Sequence, residues 1–189
     1  MFPFEDALLF LSQFVFTVLI FVLLLRFCLQ LSGASTHNVI TQWVIKITRP
    51  VVKPFQWILP TFRRFDTAVI LLAFALTMLK VFIYGFLKVG MEFSWSLIAI
   101  FSGAQLLQFI VQLYSIAIIA EAVLSWVKPE PNGLTNVLHV LTAPLLRLVR
   151  RFVPPLGGFD LSPVVVWTGL QLVNMIIITP VMRHFLWMI

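Results

Sequence analysis

Apolar residues run almost without interruption from Ala7 to Leu29, from Thr67 to Leu87, from Phe93 to Val127 and from Leu161 to Met182. Each run reaches the roughly 20 residues that a helix needs to cross a hydrocarbon core about 30 Å thick. Four transmembrane helices are therefore predicted, with spans near 7–29, 67–87, 101–127 and 161–182. The third run is 35 residues long. As one helix it would overshoot the core by about 20 Å, so part of it is predicted to lie outside or along the interface.

Between spans the pattern changes. Val39, Ile40, Trp43, Val44 and Ile47 recur at helical spacing with Asn38, Gln42 and Lys46 between them. Leu134, Val137, Leu138, Leu141, Leu145, Leu148, Val149 and Phe152 do the same beside Arg147, Arg150 and Arg151. Each stretch predicts an amphipathic helix suited to the headgroup layer. Pro144, which supplies no amide proton, should bend or restart the second one. The stretches lead into similar strings, TRPVVKPFQWILPTFRRFD from Thr48 and TAPLLRLVRRFVPPLGGFD from Thr142, ninety-four positions apart. Five of nineteen aligned positions are identical, where average usage would give about one or two. The chain is thus an internal repeat. Its halves, 1–92 and 93–189, each predict two spans joined by a basic interfacial helix and a proline-rich elbow. The predicted fold is an all-α integral membrane protein. Pro60 and Pro154 break the chain in each elbow, and Asp66 and Asp160 stand where the next span begins. Asp is a favoured N-cap whose charge complements the helix dipole, and the other use of these carboxylates would be toward a ligand or partner.

Hydrophobic residues make up 61% of the chain and charged ones 11%, with a net charge of +6. The excess does not point to nucleic acid, because its placement follows the membrane. Lys46, Arg49, Lys53, Arg63 and Arg64 separate the first two spans, and Lys128, Arg147, Arg150 and Arg151 separate the last two. Only Lys88, against Glu92, lies in the middle link. The positive-inside bias puts both repeat loops in the cytoplasm and both termini outside. An even number of spans per repeat returns the second copy in the same orientation, so the repeats should be parallel. Arg49, Lys53, Arg147, Arg150 and Arg151 are the candidates for contact with anionic headgroups or a partner. MFPFED opens the chain without a basic n-region, and the first span is expected to be retained.

At this point the residues resemble the YggT/YlmG family of small multi-pass membrane proteins. The resemblance rests on LLLRF at Leu23 to Phe27, TRP at Thr48 to Pro50, LSW at Leu124 to Trp126 and TAPLLRLVRRFVPPLGGFDLSP at Thr142 to Pro163. The first copy departs from the second where Arg63 and Arg64 replace Gly157 and Gly158. The resemblance implies a bacterial inner-membrane or thylakoid-type protein with no established reaction. It also implies a connection with osmotic or ion stress, or with envelope, division or photosynthetic-complex assembly.

Ionisable groups inside spans are costly and mark function by default. Arg26 and Glu121 occupy near-equivalent depths and could pair across the repeats, or Arg26 could snorkel. Lys80 aligns with Asn174, and its ammonium must reach the outer headgroups, a partner in the bundle or a polar pathway. Gln105, Gln108 and Gln112 form one stripe and Gln171 with Asn174 another, serving as interhelical glue or as a pathway lining. Trp43, Trp57, Trp95, Trp126 and Trp187 fall near predicted boundaries. Cys28 is the sole cysteine and reads as a packing residue. His37, His139 and His184 lack ligand spacing and read as solvated. H-E-x-x-H, P-loop and G-x-S-x-G motifs do not occur, so neither an enzyme nor a cofactor is expected. The favoured function is a scaffold or assembly factor with a protein partner or as a homo-oligomer. The alternative is an ion or osmolyte conduit or a modulator of osmotic or ion-stress tolerance.

Overall fold

The computed structural model describes residues 3–57, 59, 61–62, 65–89, 94–127, 132–153 and 160–187. Pro60, Pro154, Arg63, Arg64, Glu92, Lys128, Gly157 and Gly158, and the side chains of Lys88, Trp126 and Trp187, lie outside the described part. The fold is helical: α1 (Pro3–Ser32), α2 (Val39–Gln56), α3 (Thr67–Val89), α4 (Trp95–Val127), α5 (Gly133–Arg150), α6 (Ser162–Val173) and α7 (Thr179–Trp187). Among the described residues, four stretches are long and apolar enough to span a membrane: Asp6–Ser32, Thr67–Leu87, Trp95–Ser125 and Ser162–His184.

Local chemistry fixes the helix ends. α1 stops at Gly33, whose φ of 77° is open to glycine, and the amides of Gly33 and Ala34 return to the carbonyls of Gln30 and Leu29. α2 and α5 start on Asn38 and Asn132, which occupy equivalent repeat positions. The Asn38 side chain accepts from the Ile40 amide, and that of Asn132 from Leu134 and Thr135. α4 is unbroken over 33 residues, with no corner between membrane-crossing and outlying parts. Between α2 and α3 the sequence led us to expect only a proline break and a cap. A two-residue antiparallel ladder forms there instead, pairing Thr61 with Asp66 and Phe62 with Phe65.

Two proline effects differ from expectation. α5 does not restart at Pro144 but continues from Gly133 to Arg150, and α2 carries Pro50 and Pro54 in the same way. Pro144 and Pro50 are solvent-exposed, so the ring points away from the packed face and the lost backbone bond falls on the outer side. The larger disturbance is at Pro180, which the sequence reading passed over. Its ring would press on the carbonyl of Ile176, and the preceding turn, Asn174–Ile178, widens to a π-helix.

In the spans, lipid removes any hydrophobic drive between helices, so close packing of small residues has to hold them. Ala68, Ala73 and Thr77 of α3 and Ser102, Ser115 and Ala117 of α4 are buried accordingly, and Gly103 lies across from Phe74. The main core joins Ile20, Leu23, Leu24 and Phe27 of α1 with Val69 and Ala73, Leu106 and Leu113, and Val44, Val52 and Leu141. Thus α2 and α5 both pack on the bundle as well as linking its spans.

The relative direction of the repeats follows from one contact. Asn38 donates to the carbonyl of Gly133 at 2.8 Å, bringing the starts of α2 and α5 together. The α1–α2 and α4–α5 turns therefore lie at the same end of the bundle, and the repeats are parallel. Asn38→Cys with Gly133→Cys should form an intramolecular disulfide on oxidation, read as a reducible mobility shift of the full chain. Inverted repeats would hold these positions at opposite ends and give no shift.

Candidate functional site

The polar groups of the two elbows form equivalent networks with different charges. In the first, Arg26 extends from α1 and donates to the Thr48 hydroxyl at 2.8 Å, while that hydroxyl donates to the Val44 carbonyl at 2.7 Å. In the second, the Thr142 hydroxyl donates to Glu121 of α4. A hydroxyl both donates and accepts, so one threonine can serve a guanidinium in one repeat and a carboxylate in the other. The Arg26–Glu121 pair, one of the two alternatives for these residues, does not form: each side chain is bound within its own repeat. Arg26 is instead enclosed within its own elbow, its side chain being 10% exposed with a guanidinium nitrogen 3.9 Å from Asp66. Glu121 is further bound by His139 at 3.0 Å, so the exposed His139 is a hydrogen-bonding partner of the carboxylate.

The second equivalence lies ten residues before each aspartate. Gln56 donates to Asp66 at 2.6 Å, and Arg150, its counterpart, donates to Asp160 from two nitrogens at 2.6 and 2.9 Å. Asp66 is 1% exposed and also accepts from the Val69 amide, three residues on, in the manner of an N-cap of α3. Asp160 stands one place earlier than the cap position of its helix: it accepts from the Ser162 amide, and Leu161 occupies the cap without a side-chain bond. Partial burial works to raise the Asp160 pKa, but the bonds from Ser162 and the Arg150 guanidinium prevail and hold it below the ordinary range.

The outer faces of α2 and α5 carry the remaining candidates. On α2, Thr41, Val44, Thr48 and Val52 face inward, while Val39, Trp43 and Ile47 form an exposed stripe at fourfold spacing. Lys46, Arg49 and Lys53 flank that stripe and are exposed, with Lys46 over the Trp43 ring. On α5 and just beyond it, Leu134, Leu148 and Phe152 are exposed together with Arg147 and Arg151. Arg147 donates to its own helix at Ala143, and Arg49, Lys53, Arg147 and Arg151 have no carboxylate partner among the described residues. A cavity of about 340 Å³ opens beside Arg26, Ile45, Arg49, Lys53, Gln56 and Trp57.

Within the spans, Lys80 is buried and has no carboxylate partner among the described residues. Its ammonium donates to Thr17 of α1 at 2.9 Å and lies 5.1 Å from the Phe109 ring centre. Asn174 sits at the start of the π turn, where its carbonyl accepts from the Thr179 amide and hydroxyl and its side-chain oxygen is buried without a partner. Gln171 bridges to Ser115, whereas Gln105 leaves its oxygen buried and unpartnered. The sequence reading missed Thr48, Thr142, Gln56, His139 and Thr17 as partners. The first two open the repeated strings, and Gln56 aligns with Arg150; the repeat alignment held a signal for these three. Nothing local marked Thr17, which meets Lys80 only through packing.

These features define a four-span helical membrane protein built from two parallel repeats, with a basic helix closing one end of each. The CCB3/YggT family matches residues 6–87 and 100–181, and the chain belongs to that family. A protein of Vibrio alginolyticus, described as an uncharacterized protein in the proC 3′ region, is 32% identical over 89% of this chain and 92% of its own length. Uncharacterized protein YggT of Escherichia coli K12 is 31% identical over 90% of this chain and 88% of its own. YlmG homolog protein 2, chloroplastic, of Arabidopsis thaliana is 37% identical over 31% of this chain and 24% of its own. No solved structure matches the chain.

The two aspartates should differ in structural weight. Asp66→Ala deprives an enclosed guanidinium of its counter-charge and should cost about 3 kcal/mol, whereas the half-solvated Asp160→Ala should cost at most about 1 kcal/mol. Thermal unfolding in detergent reads both. The contribution of the Asp160 charge, taken as wild type minus Asp160→Asn, should be whole above pH of about 4 and fade as pH falls through the lowered folded value.

Proposed function

We propose that this protein is a non-enzymatic scaffold or assembly factor of the bacterial inner membrane, which holds its two basic elbows against anionic headgroups on the cytoplasmic side and presents them to a membrane or cytoplasmic protein partner. The carrying observation is the division of labour among the cations. Arg26 and Arg150 are bound to aspartates of their own repeats. Arg49, Lys53, Arg147 and Arg151 are turned outward beside exposed apolar residues at one end of the bundle. A helix with an inward packed face, an outer apolar stripe and flanking cations is amphipathic in the sense an interface requires, and each cation near an anionic surface adds about 1 kcal/mol. No nucleic acid or cofactor enters this function, and the exposed apolar surface of α6 and α7 leaves room for a second copy.

The unpartnered oxygens of Gln105 and Asn174 favour a second reading, a conduit for an ion or osmolyte. Against it, Lys80 is held by Thr17 and Phe109 inside the bundle. Reporters fused after Arg151 should read cytoplasmic and those after Gly90 external. At matched membrane abundance, Arg49→Gln, Lys53→Gln, Arg147→Gln and Arg151→Gln combined should abolish rescue of a deletion strain under osmotic or ionic stress, with Lys80→Met retaining most of it. The reverse ranking would establish the conduit and remove the scaffold.

A further inference from the structure

Two cavities lie between α1 and α2 and share Arg26 and Ile45. The first, about 340 Å³, is the cationic one already described, where Arg49 and Lys53 stand without carboxylate partners among the described residues and Trp57 is 83% exposed at the rim. The second, about 290 Å³, is bordered by Leu29, Gln30, Thr36 and Thr41. Thr41 is 4% exposed, and its hydroxyl oxygen is buried with no hydrogen-bond partner. A buried hydroxyl is rarely left this way, because the unmade bond costs stability. A residue with a buried, unsatisfied hydroxyl therefore borders one cavity while uncompensated cations line the one that shares two residues with it.

We infer that this pair of cavities binds the glycerophosphate headgroup of an anionic phospholipid, with the phosphodiester between Arg49 and Lys53 and a glycerol hydroxyl at Thr41. Arg26 is already balanced by Asp66 and Thr48 and would position the phosphate rather than neutralise it. The α2 dipole gives no help, since its negative end lies at Gln56, so the cationic side chains have to carry the site. Arginine and lysine suit a phosphate as fork and point charge respectively, and the Trp57 indole supplies a donor at the height where interfacial aromatics sit. The second repeat does not reproduce the site. Ala143 replaces Arg49, His139 replaces Ile45 and binds Glu121, and Arg150 replaces Gln56 and is bound to Asp160. One repeat is thereby a specific lipid site, and the other carries only general surface charge.

This inference rests on the placement of α2 at the headgroup layer proposed above, yet its test is independent of any cellular role. The full chain in detergent, freed of bulk bilayer, is equilibrated with phosphatidylglycerol or phosphatidylcholine and examined by native mass spectrometry. One phosphatidylglycerol should be retained in preference to phosphatidylcholine. Arg49→Gln with Lys53→Gln should lower its retention about tenfold or more, whereas Arg147→Gln with Arg151→Gln, which removes only general surface charge, should lower it far less. Thr41→Val should narrow the preference for phosphatidylglycerol over phosphatidic acid, which lacks the second glycerol. Equal retention by wild type and the first double variant, or equal loss in both double variants, would overturn the site. Displacement by millimolar free glycerol phosphate would assign it to soluble phosphates and overturn the lipid. A scaffold that fails in cells with lipid retention intact would leave this site standing.

Discussion

Each repeat depends on a threonine hydroxyl placed between the end of a span and the helix that follows. The span must leave the membrane with a charged residue near its end, and that charge has to be answered before the chain can pack. Thr48 answers Arg26 and Thr142 answers Glu121. Once the hydroxyl is fixed, so is the rotation of α2 or α5, because Thr48 shares its inward face with Val44 and Val52, and Thr142 shares its own with Leu141 and Leu146. The aspartate that starts the next span is then within reach of the residue ten places earlier. Helix, elbow and re-entry follow from one polar contact per repeat.

Tolerance of a charge reversal at the same point is informative about how the repeats came to differ. A lysine or carboxylate in place of the threonine could serve only one sign of partner, whereas a hydroxyl serves both. The first copy then encloses its cation with Asp66, and the second leaves its carboxylate partly open to His139. The first elbow is the more enclosed network and the second the more solvated one.

The spans and surface helices were legible in the sequence because hydrophobic period and length are properties of single segments. The parallel arrangement was legible through loop charge and repeat parity, and Asn38 against Gly133 gives it a physical contact. What the sequence concealed were partnerships across elements. Depth alone made Arg26 and Glu121 look like a pair, but depth says nothing of azimuth around a helix, and each faces its own elbow instead. Lys80 looked exposed to three fates because Thr17 lies sixty-three residues away, where no local pattern could connect them. Pro144 leaves α5 continuous while Pro180 follows a widened turn, because whether a proline breaks a helix depends on which side carries the lost bond, and on whether the turn before it has room to widen.

That widened turn limits how far the two copies can be equivalent. A π turn accommodates one residue more than an α-helical turn, which rotates everything beyond it by about 100° relative to an uninterrupted helix. α3 continues as regular helix through the matching stretch to Val89. Positions ninety-four apart therefore share a direction only from the elbow to Asn174, and past it α7 presents different side chains to its surroundings than the end of α3 does. Within the second span of each repeat the duplication is a symmetry of the half nearer the elbow, and beyond it the copies are free to face different neighbours.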